Sequence, residues 1–170
     1  MNKTDNKVAM ITLGCAKNLV DTEVLVGGLK NNQYDIAESP EDSDIVIVNT
    51  CGFLDKARDE SIDTILELGR LRKDGKIKKL IAMGCFTERY ADAVNEEIPE
   101  VDAVFGSEDH ANVLTYLTGK EFQKNAIKSI KENIKFREKI LKKMNLSLEQ
   151  LPNNHRDWQK RITSFQKLRE

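Results

Sequence analysis

Three cysteines are the residues of this sequence best suited to chemistry, and their spacing limits what they can do. Cys15, Cys51 and Cys85 lie more than thirty residues apart, so no CxxC pair is present and neither a zinc ribbon nor a thioredoxin-like site is indicated. Their odd number argues against a disulfide framework. The pattern leaves three interpretations: a metal centre, a nucleophilic thiol, or small buried side chains.

The elements that must position these cysteines alternate between strands and helices. Each cysteine comes two residues after an apolar run that predicts a buried strand, at 8–13, 45–49 and 79–83. Weaker strands are predicted at 34–37 and 103–105, and helices at 18–30, 57–71, 87–94 and 109–117. This alternation predicts an α/β fold, an open parallel sheet of about five strands with helices on both faces, in the flavodoxin-like order 2-1-3-4-5.

In this order the strands that precede the cysteines are neighbours, so the cysteines are expected at one sheet edge. The carboxyl edge of such sheets is the usual ligand crevice, and each cysteine precedes a predicted helix start, which favours the thiolate. Converging thiolates suit an iron–sulfur cluster. Three cysteine ligands on a four-iron cluster would leave one iron free to bind a further ligand. A structural zinc requires a fourth ligand. The two histidines, His110 and His155, do not stand at a sequence spacing from the cysteines that would indicate a shared metal site.

Five polar residues beside the cysteines are candidates for supporting such a centre. Lys17, Asn18 and Asp21 follow the first cysteine, where they either cap the helix and complement its dipole or support the cluster. Asn49 and Thr50 precede the second cysteine, where they either close the strand-to-helix turn or donate hydrogen bonds to cluster sulfur. The sequence leaves both pairs of alternatives open.

Charge divides the chain near Gly119. The net charge is −1, but residues 1–120 carry −8 and residues 121–170 carry +7. We therefore predict a sheet domain over 1–119 and a basic helical tail over 120–170, with helices at about 121–145 and 156–167. Lysine-rich helices can neutralise RNA phosphates, but the apolar stripe of this tail favours packing on a protein surface over RNA binding.

Composition and the N-terminus predict a cytoplasmic protein without membrane association. Apolar residues make up 39 % of the chain and charged residues 32 %, a balance typical of globular domains. No run approaches the roughly 18 apolar residues that a membrane helix needs. The apolar run at 8–13 is too short for a signal peptide and has no cleavage site behind it.

The segments around the cysteines resemble a known family. Residues 11–23 (ITLGCAKNLVDTE), 48–53 (VNTCGF) and 83–85 (MGC) are similar to the three cysteine motifs in the N-terminal domain of radical S-adenosylmethionine methylthiotransferases. Residues 57–67 and 98–106 are similar too, so that the resemblance covers about 7–119. The run GCAKNLVD resembles the branch that modifies an aspartate of the twelfth small-subunit ribosomal protein. The resemblance implies that Cys15, Cys51 and Cys85 hold one 4Fe-4S cluster, which presents the sulfur donor.

The sequence departs from this family after the third cysteine. The family continues with a radical domain, opened by CxxxCxxC, and a small β-rich domain that binds RNA or substrate, whereas no cysteine follows Cys85. We therefore expect a chain that is truncated before the radical domain. Such a chain should be inactive alone, because only full-length members of the family carry the domain that uses S-adenosylmethionine as a cofactor. Three hypotheses follow: half of a methylthiotransferase that works with a separate radical-domain chain on the ribosomal protein, an inactive remnant of an interrupted gene, or a stand-alone cluster- or ligand-binding module.

Overall fold

Strands and helices alternate throughout the computed structural model, which describes residues 6–120. The strands are β1 Lys7–Thr12, β2 Asp35–Ile36, β3 Ile45–Thr50, β4 Lys79–Gly84 and β5 Ala103–Val104. The α-helices of this part of the chain are α1 Ala16–Asn31, α2 Asp55–Lys73, α3 Cys85–Glu97 and α4 His110–Thr118. None of them is long and apolar enough to cross a membrane. The helices predicted at 121–145 and 156–167 lie outside the described residues.

The five strands form one parallel sheet in the order β2-β1-β3-β4-β5. The predicted α/β fold and its strand order are therefore confirmed. In the central pairs Thr12 is opposite Asn49, and Thr50 is opposite Gly84. The carboxyl ends of β1, β3 and β4 are thus nearly level, and the residues that follow these three strands share one edge of the sheet.

Two apolar layers cover the sheet, one on each face. On one face Val46 and Val48 pack with residues of α2 and α3. On the other face Ile45 and Ile47 pack with residues of α1 and α4. A strand that is buried on both faces needs apolar side chains at every position, which is why the central strands are continuous apolar runs instead of alternating ones.

The first three helices begin two residues earlier than the apolar spacing predicts, whereas α4 begins one residue later, and the earlier starts change the surroundings of the cysteines. Cys15 is the N-cap of α1, and Cys85 is the first residue of α3 because Gly84, at φ +112°, turns the chain directly from strand to helix. The predicted helix start after Cys51 is confirmed, and α2 begins at Asp55, four residues after this cysteine and two residues before the predicted start at 57.

Candidate metal centre

Two glycines bring the three cysteine-bearing loops into contact. Gly14 has φ +87°, and a Cβ added there would lie 2.4 Å from the Cβ and 2.6 Å from the Sγ of Cys51. A Cβ added at Gly52 would lie 2.9 Å from the Cα of Phe86 and 3.4 Å from the carbonyl carbon of Cys85. The first loop therefore packs against the second, and the second packs against the start of α3.

Asn18 joins the first two loops by hydrogen bonds. Its side chain is fully buried, and its Nδ2 donates to the carbonyl oxygens of Leu13 at 2.7 Å and Thr50 at 3.0 Å. These carbonyls precede the loops that contain Cys15 and Cys51. The helix-capping interpretation of Asn18 is wrong, because Cys15 occupies the N-cap and no side chain caps α1.

Asn49 and Thr50 connect the end of β3 to its neighbours on both sides. The Nδ2 of Asn49 donates to the carbonyl oxygen of Asn18 at 3.0 Å. The hydroxyl of Thr50 donates to the carbonyl oxygen of Met83 at 2.7 Å and accepts from the backbone N–H of Thr87 at 3.3 Å. The interpretation that these side chains close a local turn is therefore wrong, since their partners belong to α1, β4 and α3.

Ser61 of α2 holds the backbone of Cys51, and sequence reasoning did not find it. Its buried hydroxyl accepts a hydrogen bond from the Cys51 N–H at 3.0 Å and donates one to the Cys51 carbonyl oxygen at 2.9 Å. These two bonds satisfy the backbone polar groups of a buried residue that has just left the sheet. A lone serine in an amphipathic helix has no distinguishing sequence signal, because its partner is known only from the fold.

Lys17 and Asp21 form an ion pair at the same edge. The Lys17 Nζ lies 2.6 Å from Asp21 Oδ2 and 3.4 Å from Glu108 Oε1. Burial acts to lower the pKa of Lys17, but the hydrogen bond and charge of Asp21, followed by Glu108, outweigh it and raise that pKa above its ordinary value. The interpretation of Asp21 as a dipole-complementing acid is wrong, because α1 has no acidic residue in its first turn.

The three thiols differ in exposure and share one electrostatic environment. Cys15 is exposed, Cys85 is partly buried and Cys51 is buried. Burial is the largest cause that raises the pKa of Cys85; the positive charge of Lys17 opposes it, and the neighbouring thiols of Cys51 and Cys15 reinforce it. The predicted lowering of the thiol pKa is therefore wrong for Cys85, since desolvation outweighs the favourable charges around it.

Comparison with known proteins places this domain in a family. Residues 7–106 match the uncharacterized protein family UPF0004. The chain belongs to the UPF0004 family. All three cysteines and the five polar residues predicted to support them fall within the matched UPF0004 segment.

Three similar curated proteins carry the name ribosomal protein uS12 methylthiotransferase RimO. The protein of Chloroherpeton thalassium is 48 % identical over 119 residues, 70 % of this chain and 27 % of the relative. The protein of Natranaerobius thermophilus is 53 % identical over 102 residues, 60 % of this chain and 23 % of the relative. The protein of Aquifex aeolicus is 48 % identical over 124 residues, 73 % of this chain and 27 % of the relative.

The chain thus spans about a quarter of the length of the curated relatives it matches. The resemblance to the N-terminal domain of methylthiotransferases, in the branch that acts on the twelfth small-subunit ribosomal protein, is confirmed.

The donor set at this edge of the UPF0004 domain is three cysteine thiols, the type of ligand that holds iron–sulfur clusters. Among residues 6–120, no three His, Cys, Asp or Glu side chains converge closely enough to hold one metal ion. A single zinc would draw its sulfur ligands to within roughly 4 Å of one another, given Zn–S bonds of about 2.3 Å. In a four-iron cluster each cysteine binds its own iron, so the three sulfurs stand further apart. The contacting loops place the three thiols at one edge of the sheet.

Proposed function

We propose that Cys15, Cys51 and Cys85 hold a 4Fe-4S cluster and that this chain is the sulfur-donor half of an aspartate methylthiotransferase acting on ribosomal protein uS12. The observation that carries the proposal is the direct contact between the three cysteine loops, through Gly14 and Gly52. The substrate comes from the names of the relatives. Three thiols held at one sheet edge suit iron–sulfur ligation in type and number.

The residues around the cysteines would keep this ligand set in place. Asn18 fixes the backbone at Leu13 and Thr50, and Ser61 fixes it at Cys51, so that little ordering remains when the metal binds. When bound, such a cluster supplies an iron without a protein ligand, at which a sulfur donor can bind. We infer that a separate radical-domain chain or segment provides the S-adenosylmethionine chemistry, because all three cysteines are committed to this cluster.

Anaerobic reconstitution of the 170-residue chain with iron and sulfide tests the proposal. We expect about four irons and four sulfides per chain, and a C51S variant should lose most of both because a hydroxyl is a poor ligand for this cluster. The control is the cluster-free C51S chain, which should unfold at nearly the wild-type midpoint. Stoichiometric zinc without iron uptake, or no metal uptake, would exclude the proposed cluster.

A further inference from the structure

Lys17 lies at the carboxyl edge of the sheet, the edge that also carries the three cysteines. It lies in the first turn of α1, two residues after Cys15, and contacts Glu108, which lies in the loop between β5 and α4. The strands that lead to Cys51 and Cys85, β3 and β4, stand between β1 and β5 in the sheet. The ammonium group is therefore held at the same edge as the three thiols.

A buried carboxylate fixes the position of this ammonium group. Half of the Lys17 side chain is exposed, but Asp21, its partner at 2.6 Å, has a side chain only 7 % exposed. The other carboxylate oxygen of Asp21 lies 3.7 Å from Nε2 of the buried His110 on α4. Lysine side chains at a surface are usually mobile, so two carboxylates on different elements are needed to keep this charge in one place.

A fixed positive charge here acts directly on an iron–sulfur cluster. Thiolates and sulfides make the bound cluster anionic, and one-electron reduction adds further negative charge, so the reduction potential depends on the charges nearby. We propose, on the basis of the proposed function, that Lys17 is the counter-charge of the cluster and makes its reduction potential more positive.

The test compares three variants of the full chain after cluster reconstitution, with the midpoint potential followed by electron paramagnetic resonance. K17Q should shift the potential to more negative values, while K17R, which keeps the charge, should stay near wild type. K30Q is the matched control: Lys30 is exposed in the last turn of the same helix, roughly 20 Å away at 1.5 Å per residue, and its loss should change nothing. A cluster-loaded K17Q with the wild-type potential overturns this inference alone, whereas a wild-type chain that takes up no cluster overturns the proposed function.

A second measurement needs no cluster and covers variants that fail to load. In a C15S/C51S chain Cys85 is the only thiol, and its rates of reaction with an anionic and a neutral disulfide reagent can be compared at one pH. A nearby ammonium group favours the anionic reagent, so K17Q should lower the ratio of the two rates several-fold while K17R and K30Q preserve it. An unchanged ratio in K17Q would show that Lys17 does not act at the cysteines, and would overturn the inference.

Discussion

At the scale of single residues, Gly14 and Gly75 form a matched pair. Both have positive φ, +87° and +72°, but a Cβ at Gly14 would collide with Cys51 whereas one at Gly75 would meet nothing within 4 Å. We expect G75A to lower the free energy of unfolding by about 1 kcal/mol from backbone strain. G14A should lower it by a further 1–3 kcal/mol, roughly the cost of overpacking, and should reduce cluster uptake. Urea unfolding and iron analysis of both variants measure these effects. Equal losses of unfolding free energy in the two variants would contradict the contact between Gly14 and Cys51.

The sequence was sufficient to predict which edge of the sheet carries the cysteines, but not which residues hold their loops. Each cysteine follows an apolar run, and a parallel sheet brings the ends of such runs to one edge, so their placement at a common edge follows from pattern and topology. Asn18 and Ser61 act on partners 32 and 10 residues away, and neither spacing has a local signature. Ligation of a cluster by the cysteines stays a prediction.

At the scale of elements, Asp102 joins β4, β5 and α2. Its carboxylate accepts hydrogen bonds from the Leu80 N–H at 2.7 Å and from Arg72 Nε and Nη2 at 2.9 and 3.0 Å. Burial acts to raise the pKa of Asp102, but these hydrogen bonds and the Arg72 charge lower it below its usual range. The ionised carboxylate therefore stabilises the fold above the pKa that Asp102 has in the unfolded chain, and this stabilisation disappears as pH falls through the lower native pKa.

We accordingly expect D102N to lower the free energy of unfolding by about 1 kcal/mol at neutral pH. The difference from wild type should shrink as the pH falls through the native pKa of Asp102. Chemical unfolding at a series of pH values measures this, with the exposed Asp92 of α3 as the control: D92N should differ little from wild type throughout. A D102N effect that does not depend on pH would mean that charge plays no part at this junction.

Element boundaries were harder to predict than the elements themselves. The apolar pattern locates α2 and α3, since their buried faces must cover the sheet, but places both starts two residues late. The structure begins them at Asp55 and Cys85. Helix starts depend on where the backbone first adopts helical angles, and at α3 this follows from the φ of +112° at Gly84, which periodicity of side chains cannot reveal.

At the scale of the molecule, the described part of the chain covers both faces of its sheet with apolar layers. Helix α4 ends at Thr118, where Gly119, with a φ of +67° and an N–H that donates to the Thr115 carbonyl oxygen, stops it. We therefore expect a chain ending at Lys120 to unfold in a single cooperative transition, with a midpoint near that of the full chain, and to take up as much iron. Calorimetry and iron analysis test this. An insoluble or non-cooperative product, beside a cooperative full chain, would show that residues 121–170 belong to the core.

The contacts between loops also determine when, during synthesis, the three cysteine loops can come together. Gly14 meets Cys51, and Gly52 meets Phe86, so each contact joins segments that leave the ribosome more than thirty residues apart. A nascent chain that has exposed only the residues before β4 carries two of the three thiols, Cys15 and Cys51, and lacks the strand against which β3 must pair. If the three cysteines hold the proposed cluster, we therefore expect metal to be delivered after folding, and we expect cells starved of iron to accumulate folded, cluster-free protein instead of unfolded chain.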